Sequence, residues 1–135
     1  MAAFEHINPA GLPPPPGGIY SHLVRAGDQL YVSGQLARDK EGNLVGLGDV
    51  AAQYRQVWAN LQTALAAVGL GVEDLVKTTT YVVGEGNIAA MRVVRREMSS
   101  PNPPTSTMVV VAALAVPGAL VEVDAIASFA AKSAS

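Results

Sequence analysis

The longest periodic run of apolar positions falls between residues 50 and 68. Val50, Tyr54, Val57, Trp58, Leu61, Leu65 and Val68 recur at steps of three and four, the spacing of one helical face. Asp49 stands at the N-cap position and Gly69 at the stop. Trp58 falls on the same stripe and is assigned to the core. Residues 75–83 are rich in threonine and valine and predict a strand, broken by Gly84 and Gly86. Asn87 then caps a second helix, residues 88–98, with Ile88, Met91, Val94 or Arg95, and Met98 on its apolar face. Pro101, Pro103 and Pro104 end it. Residues 19–26 and 29–33 predict strands joined by a hairpin turn at Gly27-Asp28. Residues 107–114 and 120–127 predict two more around Pro117-Gly118. Pro13 to Gly18 and the polar, glycine-rich residues 39–48 read as loops. The tail from Ala130 reads as frayed.

Strands, helix, strand, helix, strand, strand is an order that two helices cannot cover on both faces. It predicts a single α+β domain over residues 1–135 with both helices on one face of the sheet. The other face then needs a partner. Composition sharpens that expectation: half of the residues are hydrophobic and only 15% are charged, so part of the surface is expected to be covered by copies of the chain.

The net charge of −2 rests on scattered bases, and aromatics make up 5% of the chain. Nucleic-acid surfaces show a basic stripe interleaved with aromatics, so nucleic acid is not an expected partner. The absence of cysteine removes disulfides, thiolate catalysis and thiolate metal sites. No apolar run is long enough for a membrane helix, and residues 1–16 lack the basic start and apolar block of a signal peptide. A cytoplasmic protein without membrane contact is expected.

Glu122 is the best lead to chemistry. It sits in an otherwise apolar strand, and a desolvated carboxylate costs several kcal/mol unless paired or wet. Glu122 and Asp124 share one strand face with Leu120 and Ile126, while Val121, Val123, Ala125 and Ala127 share the other. The acids either point to solvent or line a cavity, where one serves as general acid/base or orients water. Tyr20-Ser21 and Val32-Ser33-Gly34-Gln35 fall at strand ends, where serine beside glycine offers open backbone to a small ligand. Arg92 either lies on a solvated helix face or grips a ligand carboxylate. His6 and His22 do not have metal-site spacing. The spacing of Ser33, Ser106 and His22 does not support a nucleophile and base, and no phosphate-binding glycine loop is present.

With these residues in place, the chain resembles the RidA family, also called YjgF or L-PSP. The landmarks are Gly18-Ile19-Tyr20-Ser21, Val32-Ser33-Gly34-Gln35, residues 56–67, Val76-Lys77-Thr78-Thr79, and the run from Leu120 to Ala127. The resemblance implies a chorismate-mutase-like α+β fold, with a mixed sheet of about six strands and two helices on one face. It also implies a homotrimer with ligand pockets between subunits. The implied activity is hydrolysis of reactive enamines or imines to a carbonyl compound and ammonia, without metal or cofactor. Glu122 would be the catalytic group that orients water, and Tyr20, Ser33 and Gly34 would be pocket positions. The family's carboxylate-binding arginine lies in a Pro-x-Arg-Ser motif. This chain reads Pro104-Thr105-Ser106-Thr107, so Ser106 takes the arginine's place and Met108 that of a cysteine. A pocket asparagine aligns with Arg92. An Arg–carboxylate contact is worth roughly 1.5–3 kcal/mol, which a hydroxyl does not supply. Ser106, Thr107 and Arg92 would therefore set which ligand fits. A substrate other than 2-aminoacrylate is expected, with a non-catalytic binding trimer as the alternative and an endoribonuclease third.

Overall fold

Every second residue of the last long strand, β6 (Val121–Ser128), is withdrawn from solvent. Val121, Val123, Ala125 and Ala127 are buried, whereas Glu122, Asp124, Ile126 and Ser128 are half covered. A strand covered on one face only gives this alternation. The computed structural model describes residues 3–133. The other strands are β1 (Glu5–Ile7), β2 (Leu23–Ala26), β3 (Gln29–Gln35), β4 (Leu75–Val83) and β5 (Thr105–Val111). They form a 6-stranded sheet in the order β1-β2-β3-β6-β4-β5. The β4–β5 pair is parallel and every other neighbouring pair antiparallel.

Helices α1 (Val50–Ala66) and α2 (Ile88–Glu97) cover the apolar side. α2 is the crossover that a parallel β4–β5 pair requires. Tyr54, Val57, Leu61 and Leu65 of α1 join Met91 and Val94 of α2, Leu23, Leu30, Val32 and the buried side of β6 in one core. Each Val- or Leu-sized side chain buried there contributes about 1.5–3 kcal/mol. The Asp49 carboxylate accepts the Ala52 N–H at 3.0 Å, as an N-cap does. α1 ends two residues earlier than its spacing predicts. Gly69 turns left-handed at φ 77°, and Leu70 N–H returns to Leu65 O at 2.9 Å.

Several local expectations are corrected. The strand expected from residue 19 begins at Leu23, because the side-chain Oδ1 of Asn8 accepts the His22 N–H at 2.8 Å. Asn87 precedes α2 but does not cap it, since its side chain donates back to Val83 O at 2.8 Å. β1 was not foreseen. Residues Ala130–Ser133 form a short helix, α3, where a frayed tail was expected, and Phe129 before it is buried. The rest of that tail, Ala134 and Ser135, lies outside the described residues. Among the described residues no helix is long and apolar enough to cross a membrane.

Candidate active site

The site begins with one extra residue in β3. Val32 faces Ala125 and Gln35 faces Val123, so three steps along β3 match two along β6. The bulge carries Ser33 and Gly34, and bulges re-aim backbone next to functional sites. Ser33 Oγ donates to Ser21 O at 2.6 Å, and Ser33 N–H to His22 O at 2.9 Å. A Cβ added at Gly34 would collide with Oε1 of Glu122, so the carboxylate rests directly over the glycine backbone. Behind the bulge, His22 Nε2 donates to Pro13 O at 2.6 Å. A carbonyl oxygen only accepts, so Nδ1 is left to accept from Gln35 Nε2 at 3.2 Å. This buried pair fixes the strand end from below.

Above the bulge lies a 360 Å³ cavity lined by Tyr20, Ser33, Gly34, Arg38, Glu122 and a wall of Pro16, Ile19, Leu36, Ala115 and Val116. The wall segment before β6 is tied down by Gln53 of α1. Its amide donates to Gly118 O at 3.0 Å and accepts the Leu120 N–H at 2.8 Å. Burial, and secondarily the Asp124 carboxylate, push the Glu122 carboxyl above its ordinary value, with Arg38 pulling it back down. Asp124 accepts the Tyr81 hydroxyl at 2.9 Å. That hydrogen bond, first among several causes, raises the Tyr81 phenol. The two acids on one strand face thus differ in role: Asp124 is engaged by Tyr81, and Glu122 faces the cavity. A carboxylate raised toward the working pH can take a proton from water and return it.

Of the site residues expected from sequence, Tyr20, Ser33, Gly34 and Glu122 line this cavity together; Ser106, Thr107 and Arg92 are not among its lining residues. Ser106 sits on β5 beside Thr78, and its hydroxyl accepts from Arg95 Nη2 at 2.9 Å. The guanidinium next to Ser106 therefore belongs to Arg95, not Arg92. Arg95 and Ser106 line a separate 130 Å³ cavity with Trp58, Met98 and Pro103. Trp58 packs against the core as expected, edge-on to Tyr54 at 6.3 Å between ring centroids. Thr107 is exposed, in register with Thr79 and, through it, Asp124. Arg92 is exposed beside Arg95, Arg96 and Ser99 around an open hollow. Sequence reasoning missed Arg38. A lone base between Ala37 and Asp39 at the start of a polar loop gave no spacing that would single it out. Among the described residues no group of three or more His, Cys, Asp or Glu is placed to hold a metal ion.

Comparison with known proteins gives a consistent answer. Residues 12–129 match the family described as endoribonuclease L-PSP. The chain is 33% identical over 114 residues to a RutC family protein of Pyrococcus horikoshii, covering 84% of this chain and 90% of that protein. It is 32% identical over 98 residues to a 2-iminobutanoate/2-iminopropanoate deaminase of Dermatophagoides farinae, covering 72% and 77%. The crystal structure of RidA from an Antarctic Psychrobacter species superposes with a TM-score of 0.82 at 31% identity, covering 92% of this chain and 98% of that one. The match thus spans the bulge, the Glu122 strand and both helices, and the chain belongs to the endoribonuclease L-PSP family, the RidA and YjgF lineage that its motifs resemble.

Proposed function

We propose that the protein hydrolyses a small, reactive imine or enamine to a carbonyl compound and ammonia, in a pocket that a neighbouring copy of the chain completes. The observation that carries this reading is the Glu122 carboxyl, half-buried over the Gly34 backbone and raised by that burial, at the edge of a cavity of small-molecule size. The relative named as an iminobutanoate deaminase supports the reaction class.

The chemistry asks little of the protein, because a C=N bond is already electrophilic. Water adds to the carbon as Glu122 takes one of its protons. The proton is returned to nitrogen to give a carbinolamine. Glu122 then carries the adduct's hydroxyl proton to nitrogen as the C–N bond breaks, ammonia leaves and C=O forms. An enamine first takes a proton on carbon to become the imine. Ser33 and the Gly34 backbone contact the ligand, and Tyr20 walls it in. No metal or cofactor is called on. One positioned acid/base group supplies about 10²–10⁴-fold, and orientation of water the rest.

The case for a homotrimer rests on what the single chain leaves uncovered. Tyr31 and Val109, on the sheet face away from the helices, are 45% and 38% exposed, and the β5 edge is open. In such an assembly Thr107, on the same sheet face as Val109, would reach the pocket from the neighbouring protomer, whereas Ser106 and Arg92 lie on the helix side of the sheet. The acids Glu122 and Asp124 on that face disfavour a phosphate backbone, which ranks RNA cleavage below imine hydrolysis. A cytoplasmic setting suits a substrate that reacts with water within its own lifetime.

The test is ammonia release from an enamine generated in the assay, wild type against Glu122→Gln. The expected loss is about 10²–10⁴-fold. Wild-type protein that binds the product acid but releases ammonia no faster than buffer would make this a binding protein.

A further inference from the structure

We infer that Arg38 holds an anionic group of the ligand, so that the cavity under Glu122 selects small carboxylates through a cation on the loop after β3. This rests on the reading above for the identity of the site, but not on turnover.

Arg38 is placed by its backbone. Its N–H donates to Leu36 O at 2.8 Å, its carbonyl accepts from the Asn60 amide of α1 at 2.9 Å, and it bridges to Leu44. From that anchor the side chain lines the Glu122 cavity and a small recess beside His22. Arg38 Nε is buried and meets no acceptor. Nor does any carboxylate form an ion pair with Arg38 among the described residues. That atom is closed to solvent, so a ligand would be met by the outer guanidinium nitrogens, for which no hydrogen-bond partner is present among the described residues. Arg38 is also the one cation among the residues lining this cavity.

The cavity therefore holds a cation and a carboxylate that form no ion pair with each other, together with apolar side chains such as Ile19 and Val116. That arrangement fits a short molecule with a carboxylate at one end and its reactive carbon near Glu122. A guanidinium presents a planar fork of donors matched to a carboxylate, which an ammonium does not. Ser106, on another element and occupied by Arg95, is not required for this grip.

The experiment is calorimetric titration with propanoate and with propanamide, an inert pair of the same shape that differ in charge. Wild type should bind propanoate better than propanamide. Arg38→Gln should weaken propanoate by about 10- to 100-fold and leave propanamide within about twofold. Arg38→Lys should retain part of the difference. Three results overturn the inference: propanoate bound equally by wild type and Arg38→Gln, both ligands lost together, or neither bound by wild type. A lower sedimenting mass for Arg38→Gln would also overturn it, by assigning the guanidinium to a contact between copies. If propanoate binds through Arg38 while ammonia release fails, the hydrolytic reading falls and the anion site stands.

Discussion

Strands β6 and β5 flank the same neighbour, β4, and are built from similar residues, yet they are finished to different degrees. Every polar group on β6 that matters has its setting within the chain. Asp124 is met by Tyr81, and Glu122 lies over Gly34. The underside of β6 is wholly buried. No residue of β5 is buried, and Val109 and Val110 are 38% and 49% exposed. Ser106 is met only by Arg95 from α2. An interior strand has its environment set by its own sheet and helices. An edge strand with consecutive valines presents unpaired backbone and apolar surface together, the combination that ordinarily calls for a cover. The difference teaches that the Glu122 side of the candidate pocket is formed within one chain, and that under the proposed assembly a contribution from β5 would need a second.

The sharpest way to break this comparison is to place the same charge on each strand. Val123→Asp buries a carboxylate with no partner, at a cost of several kcal/mol against a net stability of about 5–15 kcal/mol. The expected outcome is loss of the cooperative melt in circular dichroism. Val109→Asp should keep the monomer fold and lower only the sedimenting mass. A Val109→Asp protein that unfolds like Val123→Asp would show that β5 is part of the core after all.

Next in size is Gly34→Ala. The glycine's φ is not in the left-handed region, so the backbone tolerates alanine, and the obstacle is the Glu122 carboxylate itself. That carboxylate is the end of a flexible side chain and can move aside. Melting temperature should change little, while ammonia release falls by about 10²-fold, the usual result of displacing a catalytic group by about an ångström. An unchanged rate would detach Glu122 from the chemistry. Ser106→Ala is the matching change on β5. It removes one exposed hydrogen bond from Arg95, worth about 0.5 kcal/mol or less, and thermal melts of the two proteins should nearly coincide.

The same contrast explains what the sequence made legible. The alternation Val121-Glu122-Val123-Asp124 announces a one-sided strand because burial imposes period two, and the α1 stripe announces itself by period three and four. Glu122 stood out because a charge among buried positions needs a reason. The bulge did not stand out: one extra residue in β3 is a matter of register against β6, and no local pattern in Val32-Ser33-Gly34-Gln35 records the partner strand. Without the bulge, Gly34 reads as strand termination and not as the seat of a carboxylate. Arg38 was hidden for the same reason, since its value depends on what lacks an acceptor in three dimensions. Asn87 shows the limit of capping rules. A residue with cap chemistry at the cap position spends its amide on the Val83 carbonyl instead, because the strand end is as close as the helix start.

A small, pH-dependent effect tests whether Glu122 is finished within the chain as the comparison supposes. Its carboxyl is raised in the folded protein, first by burial and then by Asp124. A group raised on folding binds its proton more tightly in the native state than in the unfolded one. Its favourable contribution is complete below about pH 4, where an ordinary glutamate is already protonated, and is lost as pH climbs through the raised folded value. Glu122→Gln carries no titrating group and escapes that loss. The variant should therefore match wild type in melting temperature near pH 4 and melt higher near pH 7. The gap should be small, because the side chain is only half-buried. Arg38→Gln removes the one influence that lowers the Glu122 value, so in that background the gap should widen. A gap of the opposite sign would mean that the carboxylate is held by a partner in the assembled protein, and that β6, like β5, is completed from outside.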